Sequence, residues 1–250
     1  MNPQTLHPTA RRFQDALRFL GDWFYPRACA GCGDGSPTAG RYLCWDCLAR
    51  VDFIRPPYCE LCGDPVPGRI GHAYTCAWCS ARRIHFRQAR SAARYDGPLA
   101  QMIRDFKYHG HLWLARDLAG LLEAVVRTHF EEALFDVVTA VPLHPLKERM
   151  RGYNQSAMLA EVLARKLDLP FYARLMFRRR PTPTQTHLTA EQRIANVRDA
   201  FGTRWCRWLE GRRVLLVDDV MTTGATVNEC ARALIAGGAA TVDVVTVARG

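Results

Sequence analysis

The segment 214–226, Val-Leu-Leu-Val-Asp-Asp-Val-Met-Thr-Thr-Gly-Ala-Thr, combines two acidic residues with a loop of small residues. The apolar run Val214–Val217 predicts a buried strand, which would bring Asp218 and Asp219 to its carboxyl end. The loop that follows, directly before a predicted helix, contains Thr222, Thr223, Gly224, Ala225 and Thr226. Such a loop presents free backbone N–H groups and the positive end of the helix dipole. We therefore predict that Thr222–Thr226 binds a phosphate group.

The two aspartates complement this phosphate site. Carboxylates accept hydrogen bonds from vicinal sugar hydroxyls, so Asp218 and Asp219 suit a ribose ring next to the phosphate. Phosphoribosyl pyrophosphate (PRPP) carries both groups. The segment lacks the Gly-Lys-Ser/Thr ending of a P-loop, and the chain lacks the Gly-x-Gly-x-x-Gly dinucleotide pattern. We do not expect a receiver domain, because too few residues follow Asp219 for its further strands and its downstream phosphoacceptor.

Eight of the ten cysteines form four Cys-x-x-Cys pairs in the first third of the chain. They are Cys29 and Cys32, Cys44 and Cys47, Cys59 and Cys62, and Cys76 and Cys79. Two such pairs complete a tetrahedral zinc site, and zinc is favoured over disulfides where thiols stay reduced. Because Gly follows the second cysteine of the first and third pairs, the pattern repeats and predicts two tandem sites. Crossed pairing of the four pairs stays open.

The predicted zinc ribbon is rich in aromatic and basic residues. The aromatic ones are Tyr42, Trp45, Tyr58, Tyr74 and Trp78, and the basic ones are Arg41, Arg50, Arg55 and Arg69. Exposed aromatics beside arginines can stack on unpaired bases, but the same rings can also fill a small core. The net charge of +10 and the pI of about 9.4 favour anionic partners, including nucleic acid.

We expect neither a membrane span nor a signal peptide in this chain. No apolar run reaches the length of a membrane span, and Met1–Ala10 lacks the pattern of a signal peptide, so we expect a cytoplasmic protein. Arg11–Tyr25 has a helical apolar face, which either covers its own domain or docks on a membrane or a partner. We predict an amphipathic helix over 1–25, a double zinc ribbon over 26–83 and an α/β domain over 84–250.

The second half of the chain alternates between strand and helix patterns. The predicted strands are His85–Tyr95, Asp136–Val141, Val214–Val217 and Val242–Val247. The predicted helices are Ala100–Lys107, Leu112–His129, Asn154–Leu167 with an Asn cap, and Val227–Ala236. This alternation predicts a parallel sheet with helices on both faces, and ligands bind such sheets at the carboxyl ends of the strands.

Val214–Thr226 resembles the PRPP-binding motif of type I phosphoribosyltransferases. With the four Cys-x-x-Cys pairs, the chain resembles the ComF/GntX family of competence-associated proteins. Further matching segments are Phe106-Lys-Tyr-His-Gly110, Val141-Pro-Leu-His144 and Arg151-Gly-Tyr-Asn-Gln155. The resemblance implies a double zinc ribbon followed by a phosphoribosyltransferase-like α/β fold. It also implies handling of single-stranded DNA during natural transformation or the use of DNA as a nutrient, together with DNA-uptake proteins that could bring the chain to the inner membrane.

The resemblance also implies roles for individual residues. Asp218 and Asp219 would be the catalytic pair that binds the ribose hydroxyls, and Thr222–Thr226 would hold the 5-phosphate. Lys107, Arg149 and Arg151 would bind the pyrophosphate, with Mg²⁺ bridging pyrophosphate and sugar oxygens. The stretch Arg178–Asn196 looks like the mobile loop that closes over the sugar.

Whether the predicted site turns PRPP over stays open. The catalytic amidophosphoribosyltransferases carry a glutaminase domain with an N-terminal cysteine nucleophile, whereas this sequence begins Met1-Asn2. We therefore do not expect it to make phosphoribosylamine from glutamine. Two hypotheses remain: an enzyme that displaces pyrophosphate from PRPP in nucleotide or nucleobase metabolism, and a binding protein for PRPP and single-stranded DNA.

Overall fold

The computed structural model describes residues 28–34, 37, 41–68, 70–130, 135–180, 190–204 and 206–250. The chain divides into two compact units, Met1–Arg50 and Val51–Gly250. The predicted helix Arg11–Tyr25 lies outside the described residues, and the predicted domain boundary at residue 83 stays a prediction. Among the described helices, none has the length and apolar character needed to cross a bilayer.

The first unit contains one described helix, α1, at Trp45–Ala49. Cys44 caps this helix, and its side chain accepts a hydrogen bond from the backbone N–H of Cys47. The turn that follows Cys29 is closed by a hydrogen bond from Gly33 N to Cys29 O at 2.8 Å. Both features are local consequences of a Cys-x-x-Cys sequence, which reverses the chain around its sulfur atoms.

The second unit is built on a parallel sheet. Its strands are β1 at Ala89–Arg94, β2 at Val137–Ala140, β5 at Arg213–Met221 and β6 at Thr241–Arg249. They lie in the order β1-β6-β5-β2, and each neighbouring pair is parallel. Between β2 and β5 in the sequence, β3 at Met176–Arg178 and β4 at Phe201–Thr203 form a separate antiparallel pair.

Helices flank this sheet. They are α2 at Ala77–Ser80, α3 at Gly97–Tyr108, α4 at Ala115–His129, α5 at Pro145–Arg151, α6 at Gln155–Leu167, α7 at Ala190–Val197, α8 at Cys206–Leu209 and α9 at Ala225–Ala236. A 3-10 turn at Leu112–Leu114 leads into α4. Helices α4 and α6 pack on each other and on the sheet, and α9 packs on β4, β5 and β6. The parallel sheet with flanking helices confirms the predicted fold class.

Several boundaries differ from the sequence prediction. The Asn154 cap is confirmed, since its side chain accepts hydrogen bonds from the N–H groups of Ser156 and Ala157. Strand β1 begins at Ala89 rather than His85, and α9 begins at Ala225 rather than Val227. Strand β5 extends to Met221 instead of ending at Val217, because it keeps pairing with β6 through that residue. Helix α5 and the β3–β4 pair carry no strong periodicity and were not predicted.

The turn around Cys59 and Cys62 is fixed directly to the sheet of the second unit. The N–H of Ala89, the first residue of β1, donates to Leu61 O at 2.7 Å. At the end of β6, Arg249 Nη1 donates to Cys62 O at 2.9 Å, and its Nε donates to Asp64 Oδ1 at 2.7 Å. The second cysteine group therefore lies in the same compact unit as the sheet.

Two glycines at matching positions of the cysteine repeat allow a controlled stability test. Gly33 and Gly63 each follow a second cysteine and have φ values of +80° and +67°. A Cβ on Gly63 would lie 2.7 Å from Ala89 O, whereas one on Gly33 would meet nothing within 4 Å. We expect Gly33→Ala to cost only the left-handed strain, about 1–2 kcal/mol. We expect Gly63→Ala to cost more than about 3 kcal/mol, because backbone must also move.

Thermal melts of the two variants, followed by circular dichroism, check this expectation. Gly63→Ala should lower the Tm of the α/β unit, and Gly33→Ala should leave that transition close to the wild-type value. Equal shifts in the two variants would contradict the close approach between the Cys59–Gly63 turn and β1.

Candidate functional site

The acidic pair occupies buried positions near the carboxyl end of β5. Asp218 and Asp219 are 9% and 4% exposed. Asp218 Oδ1 accepts a hydrogen bond from Ser156 Oγ at 2.7 Å and another from Asp219 N at 2.9 Å. Burial raises the pKa of Asp218 to about 7, and the charge of Asp219 adds to this effect, while the Ser156 hydrogen bond opposes it. The site therefore holds two carboxyl groups in an environment that disfavours a double negative charge.

Lys107 supplies the compensating cation. Its Nζ lies 2.9 Å from Asp219 Oδ1, and the lysine side chain is 15% exposed. Burial is the largest single effect and would lower the pKa of Lys107, but the charge of Asp219, its hydrogen bond to Lys107 and the charge of Asp218 act together to raise this pKa. The other carboxylate oxygen, Asp219 Oδ2, is buried and has no hydrogen-bond partner. A buried carboxylate oxygen without a donor costs free energy, so it marks a place where a donor or a cation would bind favourably.

The end of α3 and the loop between α5 and α6 meet beside this pair. The Tyr153 hydroxyl donates to the backbone carbonyl of Phe106, which precedes Lys107. The Arg151 guanidinium lies 5.1 Å from the centre of the Tyr108 ring, and Arg151 Nη1 also donates to Gln155 Oε1. The segments 106–110 and 151–155, which both resemble the family, are far apart in the sequence. In the structure these contacts bring them together.

Positive charge is concentrated on the same side. The pKa of Lys147 is lowered first by burial and then by the charges of Arg178 and Arg151. Burial also lowers the pKa of Arg178, although the negative charge of Asp218 opposes this shift. Lys147 and Arg151 lie on α5, and Arg149 is exposed on the same short helix. Cations that disfavour one another's charged state indicate a place where a bound anion would be stabilised.

The small-residue segment spans the loop and the first turn of α9. Gly224 caps the helix with φ +79°, a conformation that favours glycine. Ala225 N donates to Thr223 Oγ at 3.4 Å, while Ala225 and Thr226 already belong to α9. Thr222, Thr223 and Thr226 are partly exposed and Gly224 is buried. The predicted loop before a helix is therefore present, but the helix begins at Ala225, two residues earlier than predicted.

Trp78 of α2 packs against this loop. A Cβ placed on Gly224 would lie 3.6 Å from Trp78 Cη2, so the indole ring borders the capping glycine. Trp78 also packs against the core that includes Cys76, Cys79 and the α9 residues Val227 and Cys230. Through Trp78, the second cysteine group thus packs against one side of the loop Thr222–Thr226. The sequence alone did not predict this contact.

The cysteines form two groups of four. Cys29, Cys32, Cys44 and Cys47 make one group, Cys59, Cys62, Cys76 and Cys79 make the other, and the sulfur atoms of each lie within 4.8 Å of one another. Backbone N–H groups point at the sulfurs, as at Cys44 N to Cys29 Sγ (3.3 Å) and Cys76 N to Cys59 Sγ (3.4 Å). This grouping is the tandem one, and four thiolates at tetrahedral spacing fit structural zinc. The two groups support two zinc sites.

Arginines lie against the sulfurs of both groups. In the first unit, Arg50 Nη2 donates to Cys47 Sγ at 3.1 Å. In the second unit, Arg249 Nη2 lies 3.6 Å from Cys62 Sγ. A hydrogen bond with Cys79 and the charge of Arg249 lower the pKa of Cys62 to about 5 against the opposing effect of burial. Cations beside the ligands favour thiolate, which is the form that binds zinc.

Sequence reasoning missed three residues of this site. Ser156 and Lys147 belong to no motif of their own in the sequence. Trp78 was considered only as a stacking or core residue of the ribbon. Of the segment Arg178–Asn196, residues 181–189 and the Arg193 side chain lie outside the described part, while Arg178 belongs to β3 and residues from 190 belong to α7.

Two family models match the chain. One describes a double zinc ribbon domain and matches residues 20–83, and the other describes a phosphoribosyl transferase domain and matches residues 154–250. Competence protein F of Haemophilus influenzae is 33% identical over 216 residues, which cover 84% of this chain and 92% of that protein. The DNA utilization protein YhgH of Escherichia coli K12 is 33% identical over 219 residues, covering 81% of this chain and 94% of that protein.

Solved structures match the chain at lower identity. Adenine phosphoribosyltransferase from Thermoanaerobacter pseudethanolicus is 15% identical with a TM-score of 0.37, over 67% of this chain and 94% of that chain. Glutamine PRPP amidotransferase from Bacillus subtilis is 22% identical with a TM-score of 0.37, over 53% of this chain and 26% of that chain.

Proposed function

This chain belongs to the ComF family, whose relatives include competence protein F and the DNA utilization protein YhgH, and we propose that it binds PRPP with Mg²⁺ while handling single-stranded DNA. In this proposal the chain acts in the cytoplasm during DNA uptake. DNA-uptake proteins would be its partners and would bring it to the inner membrane.

The observation that carries the PRPP proposal is the buried Oδ2 of Asp219. It lacks a donor although the carboxylate is paired through Oδ1 with Lys107. A ribose hydroxyl would supply a hydrogen bond to this oxygen, and Mg²⁺ would supply a cation. A group that satisfies it must therefore approach the end of β5, next to the loop that enters α9.

The surrounding residues fit the remaining parts of PRPP. The loop Thr222–Thr226 would hold the 5-phosphate, because it leads into the N-terminus of α9, where backbone N–H groups and the positive end of the helix dipole favour an anion. Lys147, Arg151 and Arg178 would bind the pyrophosphate, and their mutual repulsion would be relieved by its negative charge. Arg149 is exposed on α5 and would meet the outer phosphate oxygens. Asp218 and Asp219 would hold Mg²⁺, which when bound would neutralise pyrophosphate charge.

Competition between the parts of PRPP tests this proposal. Ribose 5-phosphate and inorganic pyrophosphate should each displace a fluorescently labelled PRPP analogue, but only at higher concentrations than unlabelled PRPP requires. The reason is that each compound satisfies only one half of the site. Equal potency of pyrophosphate and PRPP would show that the acidic pair contributes nothing, and the ribose part of the proposal would then be wrong.

Trp78 offers a sharper test of how the loop is held. We expect Trp78→Ala to weaken PRPP binding about 10-fold, or about 1.4 kcal/mol, because Gly224 loses the ring that packs against it. Trp45→Ala is the matched control, since Trp45 lies between cysteines of the first group and is 69% exposed. Titrations with PRPP should separate the two variants, while both keep their zinc. Unchanged affinity in Trp78→Ala would contradict the bracing role.

An enzymatic role is the second candidate, and the cluster of cations beside Asp218 favours it. Positive charge near the pyrophosphate would stabilise a leaving group, and carboxylates below the sugar would stabilise an oxocarbenium-like transition state. In that reaction an acceptor bonds to C1 of the ribose as the C1–O bond to pyrophosphate breaks. Release of pyrophosphate in the presence of nucleobases or amines would support this role, and PRPP binding without any release would exclude it for those acceptors.

A further inference from the structure

Four aromatic residues lie along the surface just beyond Lys107, and we call them the aromatic strip: Tyr108, His109, His111 and Trp113. Tyr108 is 66% exposed and Trp113 is 51% exposed. The rings of His111 and Trp113 are stacked, with centres 4.4 Å apart and planes inclined by 24°. The ring of His109 lies 6.2 Å from that of His111.

The strip is held between buried anchors. Phe106 and Leu114, on either side of it in the sequence, are fully buried. Gly110, with φ +71°, reverses the chain between them, and His109 N and His111 N both donate to Asp105 O. His109 is further fixed by a 2.8 Å contact from Nδ1 to Asp105 Oδ1. Rings on such a scaffold can contact a ligand with little loss of conformational entropy.

Positive charge surrounds the strip. The guanidinium of Arg151 lies over the Tyr108 ring. Arg104, one turn before Tyr108 on α3, and Arg116, three residues after Trp113, are both exposed. Exposed rings flanked by arginines suit a polyanion with flat bases, because each base stacks on a ring while each phosphate meets a cation.

We propose that the aromatic strip is the stacking surface for single-stranded nucleic acid, a statement that rests on the proposed DNA-handling function. The ribbon aromatics fit this role less well, because Tyr58, Tyr74 and Trp78 are partly buried. Trp45 is the exposed exception. Because Tyr108 directly follows Lys107, the bound strand would pass beside the PRPP site.

Anisotropy of a fluorescently labelled oligothymidylate tests this surface. We expect Trp113→Ala to weaken binding by about 10-fold, since stacking of a base on an aromatic ring contributes about 1–3 kcal/mol. Trp113→Phe should restore most of the affinity, because it keeps a flat ring. Trp45→Ala is the matched control, since it removes an exposed tryptophan from the first unit, and it should bind like wild type.

The outcomes separate the two proposals. If wild type fails to bind the oligonucleotide at low salt, the proposed DNA-handling function is wrong, and so is the proposal that the aromatic strip binds nucleic acid. If wild type binds and Trp113→Ala binds equally well, the function stands and the stacking surface is wrong. If Trp113→Ala binds the oligonucleotide like wild type and Trp45→Ala binds it more weakly, the stacking surface lies on the first unit instead. Unchanged PRPP affinity in Trp113→Ala would show that its loss of nucleic-acid binding is not caused by misfolding.

Discussion

Asp219→Asn is expected to weaken PRPP binding at least about 100-fold, or about 2.7 kcal/mol. In the proposed complex, the substitution would remove the negative charge that Mg²⁺ and the sugar use, and it could place an amide donor where an acceptor is needed. It also leaves Lys107 without its partner at 2.9 Å. Because breaking a buried ion pair destabilises a protein, part of the effect can come from the fold itself.

A control at the other end of the sheet separates these two effects. Asp136 precedes β2, and its Oδ1 lies 2.9 Å from Arg213 Nη2 at the start of β5. Asp136→Asn removes an ion pair to the same strand far from the proposed site, so it should alter the Tm and leave PRPP affinity unchanged. Both affinities are measured by calorimetric titration below each variant's Tm. Equal losses of affinity in the two variants would contradict a specific role for Asp219.

Loss of a ligand in the second cysteine group should affect the whole α/β unit. Cys62 is fully buried, belongs to the same core as α9, and its carbonyl accepts a hydrogen bond from Arg249 of β6. We expect Cys62→Ser to lower the free energy of unfolding by about 4 kcal/mol or more, the scale seen when a metal site is broken. PRPP binding should fall with it, because Trp78 would no longer hold the Gly224 loop.

Cys32→Ser provides the matched comparison in the first group. Cys32 occupies the same position of the repeat but is exposed and belongs to the unit Met1–Arg50. Each variant should bind one zinc fewer than wild type, as measured by metal analysis. Only Cys62→Ser should lose PRPP affinity and shift the main thermal transition. A similar loss in Cys32→Ser would contradict the assignment of the second group alone to the α/β unit.

The sequence predicted those parts of the fold that depend on local patterns. The alternation of strands and helices, the Asn154 cap and the loop before α9 all follow from periodicity and residue type. The end of β5 could not be predicted in this way. Asp218 and Asp219 are polar and interrupt the apolar pattern, although the strand continues to Met221. Lys107 and Ser156, which come from distant parts of the chain, hydrogen-bond to this pair and make its burial tolerable.

Contacts between distant segments explain what the sequence could not predict. The repeat left tandem and crossed pairing open, and the tandem grouping follows from where the two cysteine turns lie in the folded chain. The role of Trp78 depends on the packing of α2 against Gly224, more than a hundred residues away. Lys107 was matched to a pyrophosphate through family resemblance, whereas the structure pairs it with Asp219.

The most direct test of the central claim is calorimetric titration of the zinc-loaded wild-type chain with PRPP, with and without Mg²⁺. Saturable binding of one PRPP per chain that strengthens when Mg²⁺ is present is the predicted result, because the acidic pair and the phosphates share the cation. No heat of binding under either condition would contradict the assignment of Asp218, Asp219 and Thr222–Thr226 as a PRPP site.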